Sequence, residues 1–188
     1  YTIVGSYANS FEIIKSNISD SFIVSKIFSI VAFTCNLNSF QEVGSIFQGE
    51  NINSTTICGN EVVSQHGNFC ILIYQYDSLA IKDNHIQGRF GKGISIGSNR
   101  LTYMNKAILL RNYIEDCKVG ISIKTKNILI QGSILKNCTV GIEISETDYL
   151  ELYDSEITAS QEYGIIISGL KHGRIERNNI KKSKKVGL

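Results

Sequence analysis

Three histidines, five cysteines and a few charged side chains are the residues of this 188-residue chain that could do chemistry. His66, His85 and His172 are far apart, and no Cys/His group has the spacing of a zinc site. The cysteines at 35, 58, 70, 117 and 138 form no CxxC, and their odd number leaves at least one thiol unpaired within the chain. Glu143 and Lys124 are the weak candidates for an acid or base. Arg100, Tyr103 and Lys106, in the stretch Gly97–Lys106, are the weak candidates for holding a ligand. A basic run, Lys171 to Lys185, follows an acidic run, Glu143 to Glu162. What these groups can do depends on the elements that carry them.

Four segments read almost alike: Gly93-Ile-Ser-Ile96, Gly120-Ile-Ser-Ile123, Gly141-Ile-Glu-Ile144 and Gly164-Ile-Ile-Ile167, with Gly187-Leu188 as the start of a fifth. The glycines recur at spacings of 27, 21, 23 and 23. Apolar anchors precede them at Ile86, Ile114, Ile134, Ile157 and Ile180, and more weakly at Val62, Leu37 and Ile18. A short alternating strand, such as Ala107-Ile-Leu109 or Leu150-Glu-Leu152, precedes each anchor. Alternation sends every second side chain inward. Three short strands per period of about 23 leave no room for a helix, which sets the pattern apart from a leucine-rich repeat.

The position two before the anchor is Asn60, Asn84, Asn112 and Asn178, with Gly132 and Ser155 between. These residues tolerate the left-handed backbone of a sharp bend, and stacked Asn side chains can bond from coil to coil. The expected fold is all-β: a right-handed single-stranded parallel β-helix of about eight coils of roughly 19–28 residues. It forms one domain over 1–188, a segment of a longer chain, irregular over 1–55 and regular over 56–188. The Asn series and the wording Asn112 to Ile123 resemble the ladders and repeats of pectate-lyase-like parallel β-helix proteins, without pointing to one family. The resemblance implies catalysis, where it occurs, on the outer face of the Gly-Ile-x-Ile strand and its flanking turns. Lyases there hold calcium with several carboxylates, and hydrolases use clustered aspartates. This face offers one Glu and one Lys, Glu143 and Lys124, placed diagonally on adjacent coils as a surface ion pair. The long turn at 97–106 would set Arg100, Tyr103 and Lys106 beside that face.

Charge reads as register. An offset of 23 residues takes Asp148 to Lys171, Glu151 to Arg174, Asp154 to Arg177 and Glu162 to Lys185. Each exposed pair contributes only about 0.2–1 kcal/mol, yet a slipped pairing would bring like charges together.

These features favour a non-catalytic scaffold or interaction domain of a larger protein or assembly, with other protein chains or neighbouring domains as partners. A polysaccharide lyase, hydrolase or epimerase, or a carbohydrate-binding domain, is the alternative. A net charge of +2 predicts no nucleic-acid partner. No cofactor or metal is expected. The most apolar stretch, Phe22 to Phe33, is too short to span a membrane. The odd cysteine count and the lack of a visible signal peptide lean towards an intracellular location.

Overall fold

A computed structural model of the chain describes residues 3–19, 25–30, 32–97 and 106–185. Among these, every named element is a strand, and all the strand pairings are parallel within one continuous sheet. The chain winds as a parallel β-solenoid of about seven turns. Each turn carries a leading strand, an anchor strand and a glycine strand, and each pairs with its equivalent one turn away.

The anchor strands show the period most plainly. The inward residue is Ile18, Phe40, Val62, Ile86, Ile114, Leu135, Ile157 and Ile180 in successive turns, all in one register. The steps between them are 22, 22, 24, 28, 21, 22 and 23 residues. Two anchors differ from the sequence expectation. Leu37 is 57% exposed, and Phe40 holds the place in the core. Ile134 is 39% exposed, and its neighbour Leu135 points inward. Adjacent apolar residues leave the phase of a three-residue strand open, and only the stacking partner settles it.

Shifting the anchor to Leu135 also shifts the ladder. Its member there is the buried Ser133, not Gly132. The ladder begins with Asn38, whose side-chain amide donates to Asn60 Oδ1 at 3.0 Å. Asn60 donates to Asn84 at 2.9 Å, and Asn84 to Asn112 at 3.0 Å. The Asn112 backbone N–H then donates to Ser133 Oγ, that of Ser133 to Ser155 Oγ, and that of Ser155 to Asn178 Oδ1. The ladder residues are not the left-handed ones. Positive φ falls one residue earlier, at Lys15, Leu37, Gly59, Asp83, Arg111, Gly132, Asp154 and Arg177. The bend is made there, and the Asn that follows turns inward to hold it.

The repeat glycine has a steric reason. Its φ is not positive. A Cβ on Gly141 would meet the carbonyl oxygen of Gly164 at 2.4 Å, and one on Gly120 would meet that of Gly141 at 2.7 Å. The coils approach too closely there for any side chain.

At the corner after the glycine strand, the buried Tyr76 hydroxyl hydrogen-bonds Thr125 at 2.6 Å, 49 residues away. The bond spans the coil that carries the 98–105 stretch, whose residues lie outside the described ones. Burial pushes the Tyr76 phenol up to about 12, against the pull of the Thr125 bond.

Candidate functional site

The outer face of the glycine strands aligns Ser95, Ser122, Glu143 and Ile166 in one column, and Gly97, Lys124, Ser145 and Ser168 in the next. Glu143 does not pair with Lys124. Its Oε2 accepts a hydrogen bond from Ser122 Oγ at 3.0 Å and lies 3.5 Å from Lys92 Nζ. Lys92 in turn donates to Ser122 at 2.7 Å. Lys124 pairs with Glu146 at 2.8 Å. Each charged group thus meets an opposite charge on a neighbouring coil. A glycosidase needs two carboxyl groups flanking the substrate. Here one carboxylate of the face is held by Lys92 and Ser122, and the nearby one by Lys124.

Beside this face, at the corner between anchor and glycine strands, lies an open groove of about 580 Å³. Its shape follows from coil length. From anchor to inward glycine-strand residue, the distance is nine residues in the Val62–Ile71 turn and eight in Ile86–Ile94, but seven in Ile114–Ile121 and Leu135–Ile142. The two long corners rise as a wall and the two short ones form a step. Gln65, Gln87, Arg89, Lys118, Asn137 and Gln161 line the groove, with the Cys117 corner at its floor. Asp116 lines it too, and Asn137 donates to that carboxylate at 2.6 Å. The unequal spacings were on view in the sequence, but only the stacking shows that they adjoin.

The candidate ligand residues lie elsewhere or out of view. Arg100 and Tyr103 lie outside the described residues. Lys106 opens the strand Lys106–Leu110, opposite Ser78 and Asn127, on the outer face of the leading sheet. It rims a trough of about 330 Å³ with Leu129, Tyr149, Glu151, His172 and Arg174. There Tyr149 and His172 stack with ring centroids 5.0 Å apart. Asn60, Asn84 and Asn112 are buried, and Asn178 is half-buried, its amide donating to Leu152 O at 2.8 Å.

The histidines do not meet. His66 faces Glu42 at 3.9 Å, His85 packs edge-on against Tyr113, and His172 lies on Tyr149. Among the described residues no three His, Cys, Asp or Glu side chains come close enough to hold a metal ion. All five thiols are free, and all but Cys58 are buried. Burial pushes Cys35 up to about 12, against its Asn38 contact. Cys117 and Cys138 stack on adjacent coils, where Thr139 N–H donates to Cys117 O. Their contact pulls Cys138 down, whereas the same contact and burial push Cys117 up, so the pair shares one proton.

Fold and site together define a parallel β-solenoid whose outer face is cross-linked by its own charges. Residues 100–188 match the model of a family described as periplasmic copper-binding protein (NosD), itself a parallel β-helix family. The match spans less than half of the chain. No curated protein and no solved structure matches.

This finding corrects the intracellular expectation. The matched family is periplasmic, which points to an extracellular or periplasmic location. The cysteine count misled because four of the five thiols are packed inside the core, out of contact with solvent oxidants. Free thiols in such positions say little about the compartment.

Proposed function

We propose that this chain is a non-catalytic, extracytoplasmic β-solenoid module that presents its outer surface to a partner protein. One observation carries the reading: the polar groups of the glycine-strand face are paired with one another across coils, Lys92 with Ser122 and Glu143, and Lys124 with Glu146. Groups so engaged fix coil register and leave no carboxylate pair for hydrolysis. The test is purification from the native source under mild conditions. A stable complex with a second protein is the expected result, and a lone monomer contradicts it.

A glycan ligand is the second reading, favoured by the corner groove. Its amides, with Arg89 and Lys118, which form no ion pair, suit hydroxyl and carboxylate groups. Calorimetry with acidic oligosaccharides tests it, and Arg89→Ala with Lys118→Ala should abolish the heat. Copper binding, the property in the matched family's description, enters for this chain through Cys117 and Cys138 alone. The scattered histidines do not suit it.

A further inference from the structure

Beneath the corner groove the core holds a column of small polar side chains. Cys117, Cys138, Ser160 and Ser183 occupy equivalent corners of four successive coils, each buried or half-buried. The repeat glycines make room for them: the Cys117 sulfur lies 3.3 Å from where a Gly93 Cβ would stand, and the Cys138 sulfur 3.4 Å from a Gly120 Cβ. Each thiol bonds only weakly, to Glu115 O at 3.7 Å and to Lys136 O at 3.5 Å. Ser160 Oγ, next in the column, is buried with no hydrogen-bond partner in the protein. A core polar group left in that state marks a place where something further can bind.

We propose that Cys117 and Cys138 form a two-thiolate site for a monovalent soft metal ion, Cu(I), reached through the floor of the corner groove. Thiolate sulfur selects Cu(I) over harder ions, and two sulfurs suffice for it where no third donor converges. Neighbouring strands lie about 4.8 Å apart, so an ion between stacked sulfurs can contact both. Binding breaks two S–H bonds, forms two Cu–S bonds and releases two protons to water, with no change in oxidation state. The site then carries one net negative charge. Lys118, adjacent to Cys117, and Arg89 across the groove are the unpaired cations that face it; Asp116, engaged by Asn137, opposes them. Cys117 lines the groove, which gives the ion its path.

The proposal builds on the extracytoplasmic reading but uses none of the surface that would hold a partner protein. The test is anaerobic titration of the reduced full chain with Cu(I) against a chromophoric Cu(I) chelator. One equivalent should bind, with a near-ultraviolet thiolate-to-copper band and two sulfur donors in the copper X-ray absorption spectrum. Cys117→Ser with Cys138→Ser should lose that equivalent and keep the circular dichroism of the parent, because serine already fills this column at 160 and 183. Cys58→Ser should keep it. No bound equivalent, retention in a folded double variant, or fewer than two sulfurs at the metal overturns the site. So does a Cys117–Cys138 disulfide in the protein from its native source. If the double variant does not fold, the absorption spectrum of the parent decides alone. Loss of metal binding with partner capture intact refutes this site only, and the reverse refutes the interaction reading only.

Discussion

Asn84 shows how much one buried amide carries. Its nitrogen donates to Ile57 O, Lys82 O and Asn112 Oδ1, and its oxygen accepts from the backbone and side chain of Asn60. Asn84→Ala leaves buried groups on three coils unpaired, and each such group costs about 1–3 kcal/mol. We expect a loss of roughly 3 kcal/mol or more in urea unfolding. Asn84→Ser should lose less, since Ser133 and Ser155 serve as acceptors in the same column. The Asn members were legible in the sequence because Asn recurs at a fixed distance from an isolated anchor. Ser133 was not, because Ile134 and Leu135 compete for that anchor. The left-handed residue was hidden as well. Six of its eight occupants carry a side chain, at roughly 1–2 kcal/mol each, so composition gives no sign of it. Bonds from these residues into the next coil, such as Leu37 N–H to Cys58 O at 2.9 Å, offset that cost.

At the level of the strand, close approach of coils is the controlling fact. Gly141→Ala places a methyl group against the Gly164 carbonyl oxygen and Ile157 Cγ2, neither of which can move without parting two coils. It should destabilise by about 1–3 kcal/mol, read as a lower urea midpoint. Gly132→Ala is the control: its nearest neighbour is the flexible Arg111 side chain, at 3.3 Å, and its cost is only that of its left-handed φ. The glycine motif was plain in the sequence, but its reason, a clash with backbone one turn away, needs the stacking. Charge register was legible in part. Asp148–Lys171 and Asp154–Arg177 form at 2.8 and 2.7 Å. Glu151 and Arg174 sit opposite one another as the offset of 23 requires, yet Arg174 bonds Glu176 on the same side of its own strand. Lys185 lies opposite Tyr163 rather than Glu162, and its ammonium sits over the Tyr163 ring. The last step is 22 residues there, and an offset carried over from the other corners misses by one.

Across the whole solenoid, these cross-coil pairs make stability depend on pH. The Arg111 guanidinium holds the Asp83 carboxyl below its ordinary value of 3.8, and Arg177 with Gln131 does the same for Asp154. A carboxylate depressed in the folded state stabilises the fold above its unfolded value and loses that contribution as pH falls through the folded value. Melting temperature should therefore be level from pH 7 to about pH 5 and fall below about pH 4. Asp83→Asn with Asp154→Asn should flatten the fall; an unchanged acid limb would show that these pairs contribute nothing.

The account rests on the claim that the charged glycine-strand face holds coils in register rather than turning over a substrate. Thermal unfolding of Lys92→Ala, Glu143→Ala and the double variant, with cleavage of acidic polysaccharides assayed alongside, tests it most directly. An exposed pair contributes about 0.2–1 kcal/mol, or roughly 1–4 °C in a domain of this size. The account predicts a drop of that order for each single variant, little further loss in the double, and no cleavage by any of them. Cleavage by the parent chain that Glu143→Ala abolishes at an unchanged melting temperature would contradict it.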